Sequence, residues 1–469
     1  MFKNALALLG LSTAFVYLAS GTQVPLGHES LVHPAFPNYA VRLKQSDEFC
    51  DGNVNTYTGY IDIEARHLFF YFFESRNDPD TDDVIFWTNG GPGCSSSLGL
   101  FMELGPCRVT KPNATTYNPY GWNDNANIFF IDQPVGVGFS YADYGEYVST
   151  TEEAAQDIAS FVAIFFEHFS KFKGRSFHMA GESYGGRYIP AFAAAIYDQN
   201  TALVNAGLTP INLTSIMIGN GCSEDVSMTL SYYDMQCQPI SVDPVTDIAT
   251  CVQMKRILPR CEKLLKESCV DTFDAINCAA ANTFCRTAIS GPFRATGYNP
   301  YDLSKLCEGE LGDTLCYPIT KQIRQFLDQP ELRKLIGVDP SITNNFSSCN
   351  PEVGGRFHGA LDSFFPTPFY ISALLDRGIK TLLYVGANDW ICNWVGNERM
   401  SLALEWTGKD AFNEIPLKEW KVKGEVAGLT RSSGGLSFVT IYGAGHMVPY
   451  DQPQISLEML KRWLANEDF

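Results

Sequence analysis

The chain has 469 residues, with 34 basic against 52 acidic side chains and a formal charge of −18. A hydrophobic share of 45% with only 18% charged residues excludes a disordered chain, and the acidic balance excludes a nucleic-acid binder, which needs a basic face. Fourteen cysteines are too many for an ordinary cytosolic enzyme and point to an oxidising compartment.

Residues 1–20 carry one basic residue, Lys3, then an apolar run from Ala5 to Ala19, then small residues. That is the layout of a cleaved signal peptide. The run is shorter than the roughly 20 residues of a membrane helix. No later stretch is apolar for long enough to span a bilayer, so no membrane association is expected after cleavage. Residues 21–44 are polar, proline-containing and non-periodic, and read as either a short propeptide or an ordered N-terminal arm. Asn113, Asn212 and Asn345 head glycosylation sequons.

From about residue 45 the chain alternates strand and helix signals. His67–Ser75 and Asp83–Gly91 are strand-like, the second ending in a Gly-rich turn. Ala126–Pro134 is a further strand ending in a loop. Glu152–Phe169 places Ile158, Phe161, Val162, Phe165, Phe166 and Phe169 at helical spacing. A strand over Phe177–Ala180, a sharp turn and a helix over Pro190–Tyr197 follow, then a strand over Leu213–Gly221. Ile379–Trp390 and Ser437–Pro449 each read as strand then loop. Alternating β and α units with ligand-type residues after strand ends predict a doubly wound α/β sheet flanked by helices.

Residues 222–349 differ. They hold ten of the fourteen cysteines, weak strand periodicity and many turn residues. They read as an inserted, disulfide-stapled cap between two parts of the core, 45–221 and 350–469. The cysteine spacings lack paired CxxC motifs, so no metal site is expected.

Gly181-Glu182-Ser183-Tyr184-Gly185 matches G-x-S-x-G between a strand and a helix, the context in which that turn exposes a serine hydroxyl. A serine needs a base to act as a nucleophile. The chain has seven histidines. His28 and His33 lie in the N-terminal arm, and His67 precedes an early strand. His168 is on a helix, His178 is too near Ser183 in sequence, and His358 is assigned to a loop. His446 follows a strand among glycines and is the best base. Asp389 also ends a strand and supplies the acid that orients it. The order Ser183, Asp389, His446 is that of α/β-hydrolases. Asp132 also ends a strand but precedes the serine, so a structural role is expected. The backbone N–H groups of Tyr184 and, from the Gly-rich turn, Gly91 are the expected oxyanion donors.

The stretches "WTNGGPGCSS", "GESYGGRYIP", "NDWICNW" and "GAGHMVPYDQP" resemble the signatures of serine carboxypeptidases, with "FFESRNDP" resembling the fungal carboxypeptidase Y branch. The similarity runs from about Thr58 to the C-terminus. It implies an α/β-hydrolase fold with an inserted cap and release of single C-terminal residues from peptides and proteins through an acyl-enzyme, without a cofactor. It implies that Asn89, the Gly90 N–H and Glu182, supported by Glu103, bind the terminal carboxylate. Two such carboxyls do not both ionise cheaply, so activity favoured at acidic pH is expected. It implies that Trp87, Met102, Tyr184, Tyr301, Tyr317 and Met447 line substrate pockets, with a preference for hydrophobic side chains. The implied bridges are Cys94–Cys349, Cys237–Cys251, Cys261–Cys285, Cys269–Cys278 and Cys307–Cys316, with Cys392 a free thiol beside the site. Cys50–Cys107 is an additional candidate bridge, and Cys222 has no assigned role. The resemblance also implies a monomer or homodimer, a proteinaceous inhibitor as partner, and a vacuolar or extracellular location. Gln23-Val-Pro-Leu26 resembles a vacuolar sorting tetrapeptide but departs at its second position. Two other readings compete: an acyltransferase or esterase of the same fold, and an inactive binding protein. The intact Ser183, Asp389 and His446 speak against the second.

Overall fold

The structure, a computed structural model, describes residues 29–33, 36–50, 52–143 and 145–469. The expected signal segment and Gln23–Leu26 lie outside the described residues. The chain begins with antiparallel strands β1 (Glu29–His33), β2 (Phe36–Gln45), β3 (Thr56–Ile63) and β4 (Arg66–Phe73), followed by β5 (Val84–Thr88). The arm left open by the sequence thus contributes two strands, paired through Val41 and Leu43 to its neighbours. A surface ribbon, β6 (Cys107–Lys111) and β7 (Ala114–Tyr117), precedes β8 (Asn127–Ile131) and the short β9 (Tyr141–Ala142). Then come β10 (Phe177–Ser183) and β11 (Leu213–Gly221). A second ribbon, β12 (Tyr298–Asn299) and β13 (Asp302–Leu306), stands apart. The chain closes with β14 (Lys380–Gly386), β15 (Lys418–Val422), β16 (Glu425–Ser433) and β17 (Leu436–Ile441).

Thirteen of these strands form one sheet in the order β1-β2-β3-β4-β8-β5-β10-β11-β14-β17-β16-β15, with β9 pairing β4. The run from β8 to β17 is parallel and the flanks are antiparallel. Parallel strands are buried on both faces and so read as continuous apolar runs. β5 and β8 are fully buried along their length. Alternate residues of β4 and β5 enter two cores: Phe70, Phe72 and Phe86 pack on one face, and Phe69, Tyr71, Phe73 and Trp87 on the other.

Helix α1 (Thr151–His168) covers the first face. Its start is set by a capping box in which the Thr150 side chain accepts from the Glu153 N–H and the Glu153 side chain from the Thr150 N–H. Its apolar stripe meets the sheet through Phe161 and Phe165, both edge-on to Phe129 of β8. Helix α2 (Gly185–Asn205) begins immediately after the serine elbow, five residues earlier than the sequence signal, because Pro190 sits inside it rather than at its start.

After β11 the chain leaves the main sheet and returns at β14, which pairs directly with β11. The excursion holds α3 (Asp225–Cys237), α4 (Ile248–Leu265), α5 (Ala275–Cys285) and the second ribbon. Bridges Cys237–Cys251, Cys261–Cys285, Cys269–Cys278 and Cys307–Cys316 join residues close in sequence there. Such a small, locally bridged helical cluster has little core of its own: Met254, Leu265 and Ile289 with the buried half-cystines make up most of it. His358, assigned to a loop by sequence, lies in the helix Pro351–Gly359. Asn113, Asn212 and Asn345 are all exposed.

Phe129 touches Phe72, Phe86, Phe161, Phe165 and Phe177. Phe129→Ala is expected to cost about 3–5 kcal/mol in urea unfolding with the disulfides intact. A loss below about 1 kcal/mol would show that the cluster does not tie α1 to the sheet.

Candidate active site

Ser183 ends β10 with φ of 61°, a left-handed conformation that is strained for a side chain and turns the chain from strand to helix. The loop after β5 packs against this elbow. A Cβ on Gly90 would lie 2.3 Å from the Tyr184 nitrogen and 2.8 Å from the Ser183 Cβ, so only glycine permits the approach. The two backbones that carry Gly91 and Tyr184 are thereby held side by side. The Tyr184 N–H also sits at the N-terminus of α2, where the helix dipole favours negative charge.

His446 and Asp389 come from the ends of β17 and β14, which are neighbours in the sheet. His446 Nδ1 is 2.8 Å from Asp389 Oδ2. Both residues are buried. The carboxylate also accepts from Asn220 Nδ2 at 2.8 Å, the Ile391 N–H at 3.1 Å and the Cys392 N–H at 3.3 Å. The His446 N–H in turn donates to the Tyr301 carbonyl at 2.7 Å, and the Tyr301 ring lies 5.0 Å from the imidazole. A Cβ on Gly445 would be 2.2 Å from the Tyr301 carbonyl oxygen, so the residue before His446 admits no side chain. Asn220 was not among the residues singled out from sequence. Its only signal there is an amide between two glycines at a strand end, and its φ of 43° suits asparagine.

On the other side of Ser183 lie Asn89, Glu103 and Glu182. Asn89 Oδ1 accepts from Trp87 Nε1 at 2.9 Å and the Gly99 N–H at 3.0 Å. Its orientation is therefore locked, and Nδ2 donates to Glu182 Oε1 at 2.7 Å. Trp87 is wholly buried and edge-on to Trp122, so it acts here as a hydrogen-bond donor to Asn89. Glu103 is fully buried on the short π-helix Gly99–Leu104 and faces Glu182. No hydrogen bond of good geometry reaches either Glu103 oxygen from a fixed donor. Burial pushes the Glu103 carboxyl up to about 7. Burial, and then the charge of Glu103, push Glu182 well above the usual carboxyl range. Among the described residues no cation forms an ion pair with either carboxyl, Arg108 reaching only the Glu103 carbonyl, and one proton between the two avoids a doubly charged buried pair.

The remaining expected residues fall in two groups. Met102, Tyr317 and Met447 are buried in the core cluster that also holds Trp87, with Tyr301 half-buried against it. Tyr317 and Tyr301 are neighbours, 6.2 Å apart. The Tyr184 ring instead packs in the opposite core against Tyr188 and Phe357, and its hydroxyl donates to Asp362 at 2.6 Å. Asp132 is structural: buried, it accepts from Ser95 Oγ at 2.5 Å and the Phe139 N–H at 2.9 Å, tying two loops together.

Cys392 corrects the expectation of a free thiol. It is bridged to Cys222, with the Cα atoms 5.0 Å apart. The reason is the sheet order. Cys222 follows β11 and Cys392 lies on the loop after β14, so adjacent strand ends bring them within bridging range. The Cys222 N–H also donates to the Ser183 carbonyl at 2.9 Å, so the bridge joins the serine turn to the Asp389 loop. All fourteen cysteines are paired, Cys50–Cys107 and Cys94–Cys349 included, and the five implied bridges are all present. Asp389, Cys392 and His446 present atoms within 4.8 Å of one another, but the bridge removes the thiolate that a metal would bind.

Residues 48–466 match the serine carboxypeptidase family model. The chain is 39% identical to carboxypeptidase Y of Candida albicans over 434 residues, 92% of this chain and 77% of that protein. It is 40% identical to carboxypeptidase Y homolog A of Aspergillus oryzae, over 92% of this chain and 78% of that protein. The fold is similar to the crystal structure of a prohormone-processing carboxypeptidase from Saccharomyces cerevisiae, with a TM-score of 0.74 and 24% identity over 89% of this chain and 92% of the other.

Under denaturing, non-reducing conditions the wild-type chain should titrate no free thiol, and Cys222→Ser should expose the thiol of Cys392. A reactive thiol in the unreduced wild type would restore the free Cys392.

Proposed function

We propose, from the premise that the chain belongs to the serine carboxypeptidase family and is a serine-type carboxypeptidase, a specific division of labour in its site. Ser183 Oγ attacks the carbonyl of the last peptide bond. His446 takes the hydroxyl proton and passes it to the leaving amino group, while Asp389 holds the ring and stabilises the imidazolium. The Gly91 and Tyr184 N–H groups receive the oxyanion. Water, giving its proton to His446, then attacks the acyl carbon, and the bond to Ser183 Oγ breaks as Oγ regains a proton and the shortened peptide leaves as its carboxylic acid.

The observation that carries the exopeptidase reading is the Asn89–Glu182–Glu103 cluster beside the elbow. Asn89, the Gly90 N–H and a protonated Glu182 together offer donors to a free carboxylate. A blocked C-terminus gains nothing from them. Met102, Tyr301, Tyr317 and Met447 form the apolar surroundings of the departing and preceding side chains. The helical excursion over 222–349 serves as the cap. Seven disulfides require an oxidising folding compartment, and among the described residues no helix is long and apolar enough to cross a membrane. A vacuolar lumen or the extracellular space fits that chemistry.

The sign of the pH effect follows from the raised carboxyls. A carboxyl whose ordinary value lies near 4.5 but is held at about 7 keeps its proton through the acidic range and loses it as pH rises through 7. Loss of that proton leaves the pair with one proton and one negative charge, which now faces the substrate carboxylate. kcat/KM for a blocked dipeptide with a free C-terminus is therefore expected to fall about tenfold per pH unit above 7. The same dipeptide as its C-terminal amide should lack that fall. Glu182→Gln, which donates without titrating, should flatten the profile, and Ser183→Ala should abolish turnover. A flat wild-type profile from pH 5 to 8 would sink the shared-proton account. Equal turnover by Ser183→Ala would sink the nucleophile assignment.

A further inference from the structure

A cavity of about 880 Å³ opens in the cap region beside the acid loop. Its walls include Phe293, Tyr298, Trp390 and Ile391, and two arginines, Arg286 and Arg294, line it. The aromatic wall is rigid. Trp390 is sandwiched between Phe293, at 4.1 Å, and Tyr232, at 4.3 Å. The cavity wall is tied to the Asp389 loop through the backbone. Trp390 and Ile391 directly follow Asp389, and their N–H groups donate to Pro300, another wall residue. The next residue, Tyr301, holds the His446 N–H.

Sheet order gives the cavity a direction. Asn89 lies at the end of β5, Ser183 at the end of β10, and Asp389 after β14, with β5-β10-β11-β14 adjacent in that order. A peptide whose C-terminal carboxylate sits at Asn89 and whose last bond lies at Ser183 has its upstream chain free to run toward the β14 side. The cavity stands on that side.

The arginines set its chemistry. Some cations of the cap have partners, with Lys255 over Tyr233, Arg260 over Phe284 and Lys263 paired with Glu267, and others such as Arg256 and Lys266 stand exposed away from the cavity wall. Among the described residues neither Arg286 nor Arg294 forms an ion pair with a carboxylate or lies over a ring, Arg286 standing only within electrostatic range of Tyr232 and His358, and both are exposed in a chain of charge −18. Two unpaired guanidiniums over an apolar wall match a carboxylate on an otherwise apolar strand of peptide. We infer that this cavity is an upstream substrate subsite, which takes the segment before the scissile bond and selects an acidic side chain within it through Arg286 and Arg294. The inference rests on the carboxypeptidase reading of Ser183 and its carboxylate trap.

The test uses the full-length enzyme and N-blocked hexapeptides with one fixed hydrophobic C-terminal pair. A single Asp is walked through the four upstream positions, with Asn and Lys as comparisons. A blocked dipeptide, too short to reach the cavity, sets the reference rate for each variant. At one or two positions Asp should raise kcat/KM about tenfold over Asn, and added salt should weaken that gain. Arg286→Gln with Arg294→Gln should erase it, and Arg286→Glu with Arg294→Glu should shift the preference to Lys. Absence of an Asp gain at every position overturns the subsite, as does a gain that survives in the double Gln variant. Failure of the wild type to cleave the dipeptide would instead count against the underlying carboxypeptidase reading. Both arginines are exposed, so loss of fold is not the expected effect of changing them.

Discussion

Asp389 is a fully buried carboxylate, and such a charge costs several kcal/mol unless donors surround it. The donors come from three places in the chain: Asn220 at the end of β11, the Ile391 and Cys392 N–H groups of its own loop, and the His446 ring after β17. Only the order β11-β14-β17 brings them together. Asn220 does double duty, since its Oδ1 accepts from the Gly386 N–H at 3.2 Å while Nδ2 holds the carboxylate. A Cβ on Gly386 would sit 1.9 Å from the Gly445 carbonyl oxygen, so the β14 and β17 ends meet backbone to backbone. That contact fixes where the imidazole stands relative to the acid.

The other side of Ser183 answers the same burial cost differently. Among the described residues Glu103 and Glu182 form no ion pair, since the nearby Arg108 reaches only the Glu103 carbonyl, and burial drives both toward the neutral acid. Donors thus surround the Asp389 carboxyl, and at the β10 end of the same sheet a carboxyl pair is kept from full ionisation by their absence. Environment, not residue type, separates the two kinds of buried carboxyl. The locked amide of Asn89 belongs to the carboxyl pair. Trp87 and the Gly99 N–H hold its oxygen, leaving its nitrogen for Glu182.

Much of the centre was readable because its signals are local. A strand, a G-x-S-x-G turn and a helix lie consecutively at 177–205, and the apolar spacing of α1 is visible in Ile158, Phe161, Val162 and Phe165. What escaped was set by distant neighbours. In the N-terminal arm β2 alternates Tyr39, Val41 and Leu43 with Arg42 and Lys44, a pattern short enough to pass unread, and its place in the sheet comes from pairing with β3. The Tyr184 ring turned into the core because Asp362 offers its hydroxyl a partner 178 residues away. Trp87 became a donor rather than an open pocket wall because Trp122 and the loop after β5 enclose it.

Length, charge and cysteine count determined the class of protein by themselves: a globular, acidic, disulfide-bonded chain made for an oxidising compartment. Chain order and residue type also selected Ser183, Asp389 and His446, because few residues combine the right chemistry with a strand end. The chain order could not say which half-cystine meets which across β11 and β14, or that Cys392 gives up its thiol to Cys222. Nor could it show that fourteen cysteines leave none free for chemistry near the site. Those outcomes depend on distances of a few ångströms between residues 170 apart in sequence, which only the packed sheet establishes.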